Sequence, residues 1–120
     1  MARLLVPLVL VVACGSEEKL SVYDAVPDAA ITSHGSGDSV RSGDLITLTG
    51  TVSDSTDDLT DLTATWFTDD AIACDALPPL EGGLTTCEVL VPEGEGLKIR
   101  LEARDPSNNT GNDIPESKIY

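Results

Sequence analysis

The residues of this chain most able to do chemistry are oxygen donors gathered in two short stretches. Asp54, Asp57, Asp58 and Asp61 lie in SDSTDDLTD, and Asp105, Asn108, Asn109 and Asp113 lie in DPSNNTGND. Carboxylate and amide oxygens suit hard cations, and Ca²⁺ takes roughly six to eight of them. The expected ligand set for such an ion is Asp54, Asp57, Asp58, Asp105, Asn108 and Asp113. No single loop could supply it. Counted from Asp54, the place where an EF-hand needs glycine holds Leu59, and the place where it needs a closing glutamate holds Thr65. The fold must therefore bring the donors together, and solvated acidic loops are the plainer alternative.

Other chemistry finds less support. Gly37-Asp38-Ser39-Val40 superficially resembles the GDSL block of SGNH hydrolases. That family needs a base histidine downstream, whereas the single histidine, His34, precedes Ser39. The chain of 120 residues is also short for that α/β fold. The block reads as a Gly-rich turn, and no catalytic residue is expected. The net charge of −14 argues against nucleic acid and against adhesion to an anionic membrane by charge. It reads first as solubility, and it would also concentrate cations.

The elements that must position the acids are strands. Leu45 to Val52 alternates, with Ile46, Leu48 and Val52 on one side and Thr47, Thr49 and Thr51 on the other. Gly50 falls on the inward set, where a large neighbour needs room. Leu62 to Thr68 turns Leu62, Ala64 and Trp66 one way, so Trp66 is the largest core candidate, placed to fill the space over Gly50. Phe67 points outward, as the one obvious aromatic platform. Leu84 to Val91 aligns Cys87, Val89 and Val91. Leu97 to Ala103 alternates most clearly, with Leu97, Ile99, Leu101 and Ala103 inward and Lys98, Arg100, Glu102 and Arg104 outward. Short strands are also expected at Ala29 to Thr32, Ile72 to Cys74 and Ile114 to Tyr120, the last weakened by Pro115. About seven short strands with regular turns and no convincing helix predict an all-β antiparallel sandwich. In an immunoglobulin-like sandwich the two acidic loops would share one end, and Asp69-Asp70 would lie toward the other.

The N-terminus has a separate logic. Arg3 precedes an apolar run from Leu4 to Val12, the pattern of a secretory signal peptide. The run is too short to span a hydrocarbon core of about 30 Å. Val11-Val12-Ala13-Cys14 then resembles the bacterial lipobox. That resemblance implies cleavage before Cys14 and lipidation of its thiol. Several acyl chains, at about 0.8 kcal/mol per buried CH₂, hold a protein firmly on a bilayer. Gly15 after the cysteine, in place of aspartate, implies release to the outer membrane. Residues 1–13 are then the leader, 14–28 the lipidated N-terminus and tether, and 29–120 the domain. Outside the cell, Cys74 and Cys87 most simply pair. A shared metal is the other reading, but neither cysteine sits in a C-x-x-C and His34 is far off in sequence.

GDLITLTGTVSD, LTATW and GLKIRLEARDPSNNTG together resemble the bacterial immunoglobulin-like, PKD-like and cadherin-like modules of surface proteins. The matching positions are Gly43-Asp44, Trp66, Asp105 and Gly111. The antibody-type cystine is absent, and Thr68-Asp69-Asp70 stands where PKD modules have Gly-Asp-Gly. The resemblance implies a non-catalytic, lipid-anchored cell-envelope protein whose domain serves protein contact, adhesion or spacing, as the first module of a longer surface protein. The alternative is a Ca²⁺-dependent adhesion or glycan-binding module. No cofactor other than Ca²⁺ is expected. The partners would be the membrane, through the lipid, and a protein or glycan at the cell surface.

Overall fold

A computed structural model describes residues 26–120. The leader, Cys14 and most of the tether lie outside the described residues. The described residues form nine strands: β1 (Asp28–Ile31), β2 (Ser39–Val40), β3 (Leu45–Ser53), β4 (Thr63–Thr68), β5 (Ala71–Leu77), β6 (Leu84–Leu90), β7 (Gly96–Arg104), β8 (Thr110–Asp113) and β9 (Glu116–Ile119). They form two sheets, one ordered β1-β3-β6 and the other β2-β9-β7-β4-β5, with β8 also paired to β7. The fold is an all-β, immunoglobulin-like sandwich.

The alternation that marks a half-buried strand holds most strictly in β7. Leu97, Ile99, Leu101 and Ala103 are fully buried, while the residues between them face outward. They meet Leu48 and Val52 of β3, Cys87 and Val89 of β6, and Ala64 and Trp66 of β4 in one core. Trp66 is 1 % exposed, and its indole Nε1 donates to Thr85 Oγ1 on the facing sheet at 2.9 Å. A Cβ on Gly50 would stand 2.7 Å from both Leu101 Cδ2 and the Ala30 carbonyl oxygen, and 3.3 Å from the Trp66 ring. Glycine there is a packing requirement.

Each flank of the sandwich is closed by a different device. On one, the Cys74–Cys87 disulfide ties β5 to β6 across the sheets. With a sequence separation of 13 between its ends, it contributes about 3 kcal/mol in the chain-entropy model. On the other, the Ile31 amide of β1 donates to Asp113 Oδ2 of β8 at 2.8 Å.

Three differences from the expected strands have physical causes. β8 and β9 are two pieces of one edge along β7, pairing Leu101↔Asp113 and Leu97↔Ser117. Pro115 lacks the N–H that would continue the ladder, although its carbonyl still accepts from Ile99. β5 reaches Leu77 rather than ending at Cys74, because register shifts against β4 between Ala64 and Phe67 break its alternation. β2 has only two residues and pairs β9 in parallel, the one exception to an antiparallel plan among the described residues. It is too short to show periodicity in sequence.

Candidate acidic site between two loops

β3 ends at Ser53 and β7 ends at Arg104, and the two loops that follow meet. β7 pairs β4 in the register Thr63↔Arg104, which sets the loop entering β4 beside the loop leaving β7. One carboxylate oxygen each from Asp54, Asp57 and Asp105 lies within 4.8 Å of the others. Two oxygens on opposite sides of one Ca²⁺ stand about 5 Å apart, so this spacing suits such an ion. No other set of three His, Cys, Asp or Glu ligand groups converges in this way among the described residues.

Asp54 and Asp105 are each held by local turn chemistry. Asp54 Oδ1 accepts from the Thr56 amide at 2.9 Å and from Thr56 Oγ1 at 3.0 Å, an Asx-type turn. Its Oδ2 is buried without a hydrogen-bond partner. Asp105 is 4 % exposed and bound more fully. Its Oδ1 accepts from the amides of Ser107 and Asn109, each at 2.9 Å, and its Oδ2 from Asn109 Nδ2 at 3.1 Å. The Asp105 amide returns a bond to the Asn109 carbonyl. Asp57 is half-buried and stands between them. Partial withdrawal from water holds its carboxyl above the ordinary carboxylate range, and the negative charges of Asp54 and Asp105 add to that. Ion pairs among the described residues fall on Lys98, Arg100 and Arg104, and none reaches these three acids.

Of the other expected ligands, Asp58 and Asp113 are outside the converging group, and Asn108 is fixed by its backbone in the turn after Asp105. Asp58 is exposed, and its carbonyl accepts from Asp61 in a short 3-10 turn, Leu59–Asp61. Asn108 lies at φ 70°, a left-handed position that asparagine tolerates, with its amide bonded to the Asp105 carbonyl. Asp113 sits on β8, holding the Ile31 amide. Thr56 supports the site but carries no charge to draw attention in the sequence. The signal for it is the Asp-x-Ser/Thr pattern of an Asx turn.

At the far end of β4, Asp69 and Asp70 form the two-residue turn to β5, with φ of 50° and 70°. Both positive values make it the type of hairpin turn that matches strand twist. Here the charge is answered: Asp69 Oδ1 accepts from the Lys98 amide at 3.0 Å, and Asp70 pairs with Lys98 Nζ at 3.0 Å. On the outer face beside it, Phe67 lies under the Arg100 guanidinium, 3.8 Å from ring centre to Cζ. The aromatic platform is thus occupied by the chain's own cation.

No protein-family model and no curated protein matches the chain. Solved structures are similar in fold. Fibronectin(III)-like modules of Clostridium thermocellum CbhA align with a TM-score of 0.61 at 19 % identity, over 80 % of this chain and 46 % of that one. The chain thus spans about half the length of that structure. A superoxide reductase (neelaredoxin) from Ignicoccus hospitalis aligns with a TM-score of 0.56 at 6 % identity, over 82 % of this chain and 85 % of that one. At these identities the likeness is one of fold.

Proposed function

We propose that this is a non-catalytic, lipid-anchored module of the bacterial cell envelope, serving protein contact, adhesion or spacing at the outer membrane. The observation that carries the reading is the combination of an immunoglobulin-like sandwich, similar to fibronectin(III)-like modules, with a leader ending Val11-Val12-Ala13-Cys14. Among the described residues no helix is long and apolar enough to cross a membrane, so the anchor would be the lipid on Cys14. The titratable groups that converge are carboxylates already held by their own loops, a poor arrangement for proton transfer to a substrate. The test is metabolic labelling with an alkyne-bearing fatty acid in a Gram-negative host. The full chain should be labelled and fractionate with the outer membrane, and Cys14→Ser should be unlabelled and leave it. Labelling that survives in Cys14→Ser, or a wild-type chain without label, overturns the anchor.

A second reading rests on Asp54, Asp57 and Asp105: the module binds Ca²⁺ between its loops, as a calcium-dependent adhesion or glycan-binding domain would. It is supported by the 4.8 Å convergence, by the partnerless Asp54 Oδ2 and by the raised Asp57 carboxyl, which a cation would relieve. Thermal melts in EDTA and in millimolar Ca²⁺ decide it. At 100 times Kd the stabilisation is about 2.7 kcal/mol, a rise of several degrees. Superposed curves, or an equal rise in Mg²⁺, remove this reading.

A further inference from the structure

Two strands end their sheets on the same flank. Among the described residues β5 pairs only with β4 and β6 only with β3, and Cys74–Cys87 laces the two together. An unpaired strand edge is a template for another extended chain, and proteins blunt such edges with lysine, proline or a covering element. β5, AIACDAL, has neither lysine nor proline. It instead turns large apolar side chains to solvent, with Ile72 59 % and Leu77 66 % exposed. Beyond its end Leu77, Pro78, Leu80, Leu84, Thr85 and Thr86 line a notch of about 170 Å³. Leu80 is 62 % exposed on its rim.

The charge of this flank says what it would accept. Residues 42–97 contain no lysine or arginine, and Asp75, Glu81 and Glu88 lie on β5, in the 3-10 turn Glu81–Gly83 and on β6. Among the described residues a second copy offers no free cationic strand edge. It would bring the same acids, and the cationic strand β7 has both edges taken, by β4 on one side and by β8 and β9 on the other. Asp75 thus works against self-pairing and in favour of a cation.

We propose that the β5 edge and the Leu77–Leu80–Leu84 notch bind an extended, cationic segment of a partner protein. The segment adds antiparallel to β5, sets an apolar side chain in the notch and places lysine or arginine near Asp75 and Glu88. This deepens the protein-contact reading and rests on it.

The test uses the full chain purified from the envelope of a bacterial host. The probe is a short, end-blocked peptide that alternates lysine with valine and leucine. Binding is expected, and methylation of alternate backbone nitrogens in the peptide should weaken it by about tenfold or more, because strand addition needs those donors. L77D/L80D should weaken it comparably with an unchanged melting temperature, since both side chains are solvent-exposed. The proposal is overturned by absent binding, by equal binding of the methylated peptide, by undiminished binding to L77D/L80D, or by self-association that L77D/L80D abolishes. Cys14→Ser should bind the peptide like the wild type, so loss of this surface and loss of the lipid anchor read out separately.

Discussion

β4 carries acids at both of its ends, and the two groups have opposite electrostatics. At Asp69-Asp70 one lysine answers both side chains, through its amide to Asp69 and its ammonium to Asp70. At Asp54, Asp57 and Asp105 no ion pair is made among the described residues, and partial withdrawal from water, with the charges of Asp54 and Asp105 added, raises the Asp57 carboxyl. The first pair makes a hairpin. In the second group Asp54 and Asp105 are held by backbone amides that are indifferent to whether a cation is present. Acid clusters of equal appearance in sequence thus differ in whether the fold supplies the counter-charge.

The largest expected break in this contrast is Asp105→Ala. It takes the buried acceptor from the Ser107 and Asn109 amides and the Asn109 side-chain amide in a part-buried turn. Stranded buried donors cost roughly 1–3 kcal/mol each, less any that water recovers, so a loss of about 3 kcal/mol is expected in urea unfolding. Asp69→Ala, with one exposed amide bond lost, should cost less than ~1 kcal/mol. Equal losses would dissolve the contrast. Next in size, the Asp54→Asn/Asp57→Asn pair should abolish any Ca²⁺-dependent rise in melting temperature, while Asp69→Asn/Asp70→Asn leaves it whole. A rise that survives the first pair and not the second would move the cation to the hairpin.

How far the sequence showed these features depended on whether side chains or long-range approach created them. The alternation of Leu97, Ile99, Leu101 and Ala103 is a local signal, and it marked β7, the strand on which both acid groups are registered. The meeting of the two loops followed from sandwich topology alone. Its membership did not. Asp113 lies in a strand that the run SNNTGND hides, because β8 exists through its partners β7 and β1. Gly111 is needed there since the Pro27 carbonyl occupies the place a Cβ would take. Asn108 looks like a ligand by type, and its left-handed backbone supplies a second reason for asparagine there. β5 was cut short because a bulge against β4 moves its side chains out of a simple alternation. In each case what was missing was the backbone of a distant segment, which no window of local sequence contains.

A smaller effect is expected at the hairpin. Asp70→Gly removes a surface ion pair worth under ~1 kcal/mol and relieves a non-glycine residue at φ 70°. The two changes oppose each other. The melting temperature should stay within a few degrees of the wild type, and roughly 0.5 M salt should move the variant upward relative to the wild type by screening the pair that is lost. A large loss would mean that Lys98 and Asp70 do more for the hairpin than its backbone does.

The smallest effect carries the most information, because its sign is fixed. Asp57 is a carboxyl whose folded-state pKa lies above its unfolded value. Between those two values the folded chain binds more protons than the unfolded chain, so stability contributed by this group rises as pH falls through the window. Above the window its ionised form is a net liability. Asp57→Asn removes that liability, so the variant should melt higher than the wild type at about pH 7. The advantage should shrink as pH is lowered through the raised pKa. Millimolar Ca²⁺ at neutral pH should erase the same advantage if the ion sits among the three carboxylates, since it would supply the charge that the substitution merely takes away. A variant that melts lower at neutral pH, with no pH-dependent gap, would mean that the Asp57 carboxylate contributes to this end of the fold and is not strained there. The acids at this end of β4 would then be a satisfied turn like those at the other.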